Sequence, residues 1–449
     1  MDCRTVSALV AGVFGVALSV AGTSAQAPAP APPTFAKDVA PILYKSCVTC
    51  HRPGGIGPMS LITFRDARPY IRSIRARITD GTMPPWHAEA PSGTFRNDRR
   101  LTEAEKSTLV AWITGGAPQG DATDLPPAPT FPDGWTIGKP DVVLAMSTSY
   151  DVPASGKVDY QYFEIPTNFT EDKWVQAIEI RPGALSVVHH ILAFSREPSP
   201  SPRPPVFMPK NIGPSLPPPA PPAAAPGANA QPQGFPGQPP KDPGALIATT
   251  APGTNVQVFE PGQAMLIRAG SVLTFQVHYS ANGSAATDRS SVAFIFAKQP
   301  PSQEVRSESF VNFMFQIPPN ASDHKVESAI EFSQDARILA LFPHTHLRGK
   351  RWEYRLIYPD GRSEVVLSVP KYDFNWQTYY EFVRPLAVPK GARLEATAWY
   401  DNSRANRSNP DPSAAVRWGE QTWDEMQYSG ITFVAGDAKA TAQGQGQQQ

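Results

Sequence analysis

Apolar residues recur along this chain with two different periods. Near the N-terminus, "FAKDVAPILYKSC" places Phe35, Val39, Ile42 and Leu43 on one helical stripe. "LTEAEKSTLVAWITGG" opens with Thr102 and Glu105 at capping-box spacing and closes at Gly115 and Gly116, with Leu109, Trp112 and Ile113 facing inward. These stretches predict a small helical domain over 28–120, followed by a Pro-rich linker over 121–138. From 139 the period falls to two. "VLTFQVHYS" sets Leu273, Phe275 and Val277 on one face and Thr274, Gln276 and His278 on the other. Turn signals such as "PASG" and "ANG" separate such runs. The pattern predicts two antiparallel β-sandwich domains of jelly-roll type, over 139–302 and 303–435. The multidomain fold is thus α plus all-β.

Two stretches fit neither period. Residues 197–245 are dense in Pro with runs of Ala, Gly and Gln, and are expected to form a disordered insert between two strands. Residues 436–449 read as a disordered tail. The first 27 residues read as a secretory signal peptide: Arg4, an apolar centre, and a small-residue site ending at Ala27. The mature chain is therefore expected in the periplasm or outside the cell, with no stable membrane insertion. Its 449 residues carry 40 basic and 40 acidic side chains, so nothing in the charge favours nucleic acid or an anionic membrane.

Of three cysteines, Cys3 leaves with the leader, and Cys47 and Cys50 both sit in "CVTCH". C-x-x-C-H is the attachment signature of c-type haem, with both thiols forming thioethers and His51 ligating iron. A redox pair would want a βαβ setting, and a Cys-rich zinc site would want a second Cys pair. The helical domain therefore resembles a single-haem cytochrome c. Such domains take their distal ligand from a Met-Pro loop, which points to Met83 in "GTMPPWH", with Met59 and His87 as competitors.

Six further histidines remain. His189 and His190 are adjacent in "SVVHHILAF", where a regular strand would turn them to opposite faces. His344 and His346 in "FPHTHLRGK" have the spacing that points two strand side chains to one face. His278 lies opposite its strand's apolar row, and His324 reads as a surface loop residue. Imidazole is costly to bury without a partner, so histidines recurring in apolar strands suggest metal ligands.

The motifs "VVHHILAF", "FQVHYSANG", "PHTHLRGK" and "WDEMQYSG" occur in the order found in the copper type II, ascorbate-dependent monooxygenases, the family of dopamine β-monooxygenase and peptidylglycine α-hydroxylating monooxygenase. The resemblance covers most of 139–435, and the whole chain resembles a bacterial version with a fused cytochrome c domain. It implies one copper in each of two β-sandwiches. His189, His190 and His278 would hold the electron-transfer copper. His344, His346 and Met426 would hold the copper that activates oxygen. The implied activity is hydroxylation of a C–H bond of a small organic substrate with dioxygen. Electrons would pass from haem c, itself reduced by a periplasmic donor, through the first copper to the second, with ascorbate as an alternative reductant. A non-enzymatic electron-transfer or copper-binding protein is the alternative. The chain departs from the peptidylglycine enzyme at Phe342, Tyr428 and Gly430, which replace its substrate-contacting residues, so peptide amidation is not implied. Phe342 and Tyr428 point to an apolar or aromatic substrate.

Overall fold

The computed structural model describes residues 32–53, 55, 57–131, 134–199, 205–210, 244–251 and 256–436. The leader, most of the Pro-rich insert and the tail after Gly436 lie outside them. Among the described residues, no helix is long and apolar enough to cross a membrane.

The protein is mostly β-sheet with a small helical N-terminal part. A π-helical turn, Phe35–Val39, runs into α1 (Ala40–Ser46); α2 (Phe64–Ala67), α3 (Ile71–Thr79) and α4 (Glu103–Thr114) follow. The Thr102 hydroxyl accepts from the Glu105 amide at 3.2 Å, and the Glu105 carboxylate accepts from the Thr102 amide at 2.8 Å. This expected capping box satisfies two amides that α4 itself leaves unpaired. Phe35, Val39, Ile42, Leu43, Leu109 and Trp112 share one buried cluster, with Ile113 at its edge.

The strands form three main sheets, none closed. A four-stranded sheet contains Gln161–Pro166, Val272–Tyr279, Val188–Arg196 and Ala245–Thr250. A five-stranded sheet is built around Gly349–Ile357 and Arg393–Tyr400. A nine-stranded sheet connects the two halves. In it, Gln303–Val311 pairs antiparallel with Tyr428–Ala435 and parallel with Gln263–Ile267. The boundary expected at 302/303 therefore falls within a continuous sheet, and the pairing is not wholly antiparallel. Each half nevertheless has its own core. Phe275, Ile191 and Val175 belong to one, and Trp352, Leu394 and Phe433 to the other.

Two further expectations are corrected. Part of the insert is ordered: Phe207–Lys210 is a strand that pairs with His324–Phe332, because Val206 and Phe207 bury themselves in the second core. His324 begins that strand and is not in a loop. The helical domain is also less separate than the 28–120 boundary implies. Its segment 86–99 is an extended strap across the second half. The Glu89 amide donates to the Ser368 carbonyl at 2.8 Å, and the Arg96 amide to the Glu381 carbonyl at 2.7 Å. Trp86 and Phe95 enter the second core, where Phe95 meets Tyr380 and Phe382 with ring centroids 5.6 and 5.1 Å away.

The strap predicts an energetic link between the helical part and the second half. Phe95→Ala should destabilise the second half by about 3–5 kcal/mol, read as a lowered midpoint in chemical denaturation. An unchanged midpoint would show that the strap contributes no stability.

Candidate metal centres

The first centre rests on a break in strand register. Along the pair formed by Val188–Arg196 and Val272–Tyr279, His278 sits opposite His190, but the next residue, Tyr279, sits opposite Val188. His189 is the extra residue of a β-bulge. A bulge bends its strand and re-aims the side chains there, so the adjacent histidines face the same way. Their Nδ1 atoms stand 3.0 Å apart. One nitrogen from each of His189, His190 and His278 falls within 4.8 Å of the other two. Among the described residues, His190 Nε2 and His278 Nδ1 are buried with no hydrogen-bond partner. Burial holds His190 well below the usual imidazole range, with the other histidines adding to the effect, and pushes His278 down to about 3. His189 is lowered by burial, with the Asp373 charge opposing. Three neutral imidazoles converging with unused nitrogens fit a metal ion.

The second centre lies where the strand Ala336–His344 ends. The His344 and His346 rings are 5.2 Å apart between centroids. His344 Nδ1 meets the Gln377 side-chain oxygen at 2.7 Å, and His346 Nδ1 meets the Asp424 carbonyl at 3.3 Å. Each contact fixes the ring and leaves Nε2 for a ligand. His346 Nε2 is buried and without a partner among the described residues. Burial pushes His344 down to about 4, and burial with the His344 charge beside it holds His346 well below the usual imidazole range. Met426 is buried and is tied to the pair through Glu425. The Glu425 carboxylate accepts from the amides of His346 (2.8 Å), Arg348 (2.6 Å) and Met426 (3.3 Å). Burial pushes this carboxyl up to about 8, against the pull of the amides and of Arg348. Gly349 closes the turn, because a Cβ there would collide with the Thr345 hydroxyl. With the Met426 thioether as third donor beside these two imidazoles, the set would suit a soft, copper-type ion better than zinc.

The two centres adjoin. The centroids of all five histidine rings lie between 5.8 and 6.5 Å from that of Phe374. The Tyr160 ring also touches both centres, 5.0 Å from His278 and 6.2 Å from His346. The His278 face of Val272–Tyr279 thus looks onto Phe374 of the second half. Sequence spacing and the family resemblance brought out the candidate ligands but missed Phe374, Tyr160, Gln377 and Glu425. "DEM" was the one nearby signal, and there it marked Met426. Phe342 is fully buried and stacked on Tyr379 at 4.6 Å, so it shapes the wall beside His344 and offers no surface to a substrate. Tyr428 is half-buried, 6.2 Å from the His344 ring.

In the helical part, Cys47 and Cys50 are unpaired at the end of α1 and in the turn after it. His51 Nδ1 is 3.3 Å from the Met59 carbonyl, a contact that orients the ring with Nε2 free, as an axial ligand needs. The Met59 side chain packs on the helical core. Met83 is half-buried in the turn after α3, its amide donating to the Arg77 carbonyl at 3.1 Å. His87 lies on the strap beside Asp373, whose charge also reaches His189.

Two outcomes follow from this geometry. Glu425→Gln should weaken metal binding at His344, His346 and Met426 about 10–100-fold and leave the three-histidine centre unchanged, as metal titration with each centre's spectrum will show. The second concerns pH. Unfolded histidines take up protons near 6.5, whereas His278 and His344 in the folded chain resist until about 3 and about 4. The unfolded state then binds more protons, so the metal-free protein loses stability as pH falls from 6.5 towards 4. The loss is about 1.4 kcal/mol per pH unit for each such histidine. Denaturation across that range checks this, and His278→Leu should flatten the slope.

No family model and no curated protein matches the chain. Among solved structures, it is similar to the major capsid protein P2 of bacteriophage PM2, at 10% identity and a TM-score of 0.27, covering 66% of this chain and 97% of that one. It is also similar to a structure of infectious bursal disease virus strain Gx, at 8% identity and a TM-score of 0.19, covering 68% and 74%. Likenesses this distant carry no argument about function.

Proposed function

We propose that the chain is an exported copper- and haem-dependent monooxygenase that hydroxylates a C–H bond of a small organic molecule with dioxygen. The observation that supports it most is the gathering of two differently composed ligand sets, with unused buried imidazole nitrogens, around one phenylalanine. The same reading takes the β part as two sandwiches, each holding one metal. Two separate cores, each drawing on two sheets, support it. Copper at the two centres would supply one-electron steps and oxygen activation, and haem c on Cys47, Cys50 and His51 would supply electrons.

The chain's own residues do the rest. Burial keeps the imidazoles neutral, so they are ready to ligate without first losing a proton. Gln377 and Asp424 hold His344 and His346 in the tautomer that presents Nε2. Phe374 and Tyr160 fill the space between the centres and exclude water from it, which strengthens electrostatic interactions there. The half-buried Tyr428 is the residue beside His344 that a substrate can reach.

A non-enzymatic electron carrier is the competing reading. It is favoured by the near-complete burial of His344, His346 and Met426. Oxygen uptake separates the two. Protein matured with haem and loaded with copper should hold two coppers per iron and consume oxygen when reduced. Met426→Ala should keep the three-histidine copper and lose the uptake. Two coppers with no uptake would favour the carrier, and iron without tightly held copper would overturn the monooxygenase reading.

A further inference from the structure

A second ligand site lies apart from both centres, under the strap. Its origin is a fault in the strand Tyr380–Val388. Ala340 pairs with Glu381, but Ile338 pairs with Leu386. Leu339 is skipped on one strand and 382–385 on the other. Pro385 has no amide to give to the ladder, so the strand cannot stay regular there. The displaced segment is stitched to the strap, where Phe382 bridges to Phe95 and the Val383 amide donates to the Thr94 carbonyl at 3.0 Å. Arg96 of the strap reaches Glu260 of the first half at 2.8 Å. The result is a cavity of about 200 Å³ between the halves, lined by the strap, the fault and the sheet beneath.

The lining combines apolar faces with polar atoms left unused. Phe259, Leu339, Phe382 and Pro385 supply the faces. Thr432, 5% exposed, has a buried hydroxyl with no hydrogen-bond partner among the described residues, and so does the side-chain oxygen of Gln257. The hydroxyl of Tyr379, another lining residue, is buried without a hydrogen-bond partner among the described residues too. An orphaned polar atom is unfavourable, and three on one cavity mark a place where something else completes them. The Phe342–Tyr379 stack separates this cavity from His344.

We propose that the cavity binds a small, neutral, mainly apolar molecule the size of a substituted benzene, carrying a hydroxyl that donates to the Gln257 oxygen or pairs with the Thr432 hydroxyl. Apolar walls with a few convergent polar groups are the usual make-up of such sites. The site does not depend on either metal centre.

Calorimetric titration of the full chain, free of added copper, with 4-methylphenol and with toluene tests this. 4-Methylphenol should bind saturably and toluene about tenfold more weakly, because a site built to hydrogen-bond a hydroxyl rejects the analogue without one. Thr432→Val, which keeps the shape, and Gln257→Leu, on a half-exposed short strand, should each bring 4-methylphenol closer to toluene. Folding of both variants is checked by circular dichroism. Equal binding of both probes, binding unchanged in both variants, or no saturable binding at millimolar concentration would overturn the proposal.

Discussion

Five imidazoles packed around one phenyl ring are the constraint on which the rest of the structure depends. Burying a neutral imidazole whose nitrogen has no partner is unfavourable, and here His190, His278 and His346 each bury one. The fold accommodates this with irregular structure beside these histidines. A bulge brings His189 and His190 to one side. A glycine turn follows His346, and one buried carboxylate, Glu425, holds the amides of His346, Arg348 and Met426. The segment between the strands Ser363–Val369 and Tyr380–Val388 supplies both the central ring, Phe374, and the oxygen that orients His344, Gln377. One loop therefore serves both centres at once.

The nine-stranded sheet explains how two halves with separate cores hold such a shared site. Strand Gln303–Val311 is bonded on one side to the first half and on the other to the second. The polar face of Val272–Tyr279 is buried at Thr274 and Gln276, and Gln276 donates to the Tyr162 hydroxyl, which in turn reaches Glu420 of the second half. The strap carries the coupling to the helical part. Trp86 and Phe95 are anchored in the second core, and His87 stands beside the same aspartate as His189.

Much of this was legible in the sequence, for physical reasons. The helical stripe and the Thr102–Glu105 cap are local, and local patterns survive folding. The clustered histidines stood out because a polar ring in an apolar strand needs a partner. The bulge at His189 was signalled only by the adjacency of two histidines, since a regular strand would have turned them apart. What stayed hidden depends on distant pairings. Phe374 and Tyr160 are ordinary aromatics until the chain brings both halves to them. Phe207, in a Pro-rich stretch, gave no sign that it would pair with Phe332. Phe342 looked available to a substrate because sequence carries no information about the Tyr379 ring that covers it.

The most direct test of the account is the magnetic interaction between the two centres. With both loaded as Cu(II), ions bound by rings whose centroids all lie within 6.5 Å of that of Phe374 would be near enough for their spins to couple. Electron paramagnetic resonance should then show dipolar broadening and a half-field transition, both lost in His278→Ala. Two sharp, independent copper signals, unchanged when the first centre is removed, would contradict the claim that these histidines form one compact site.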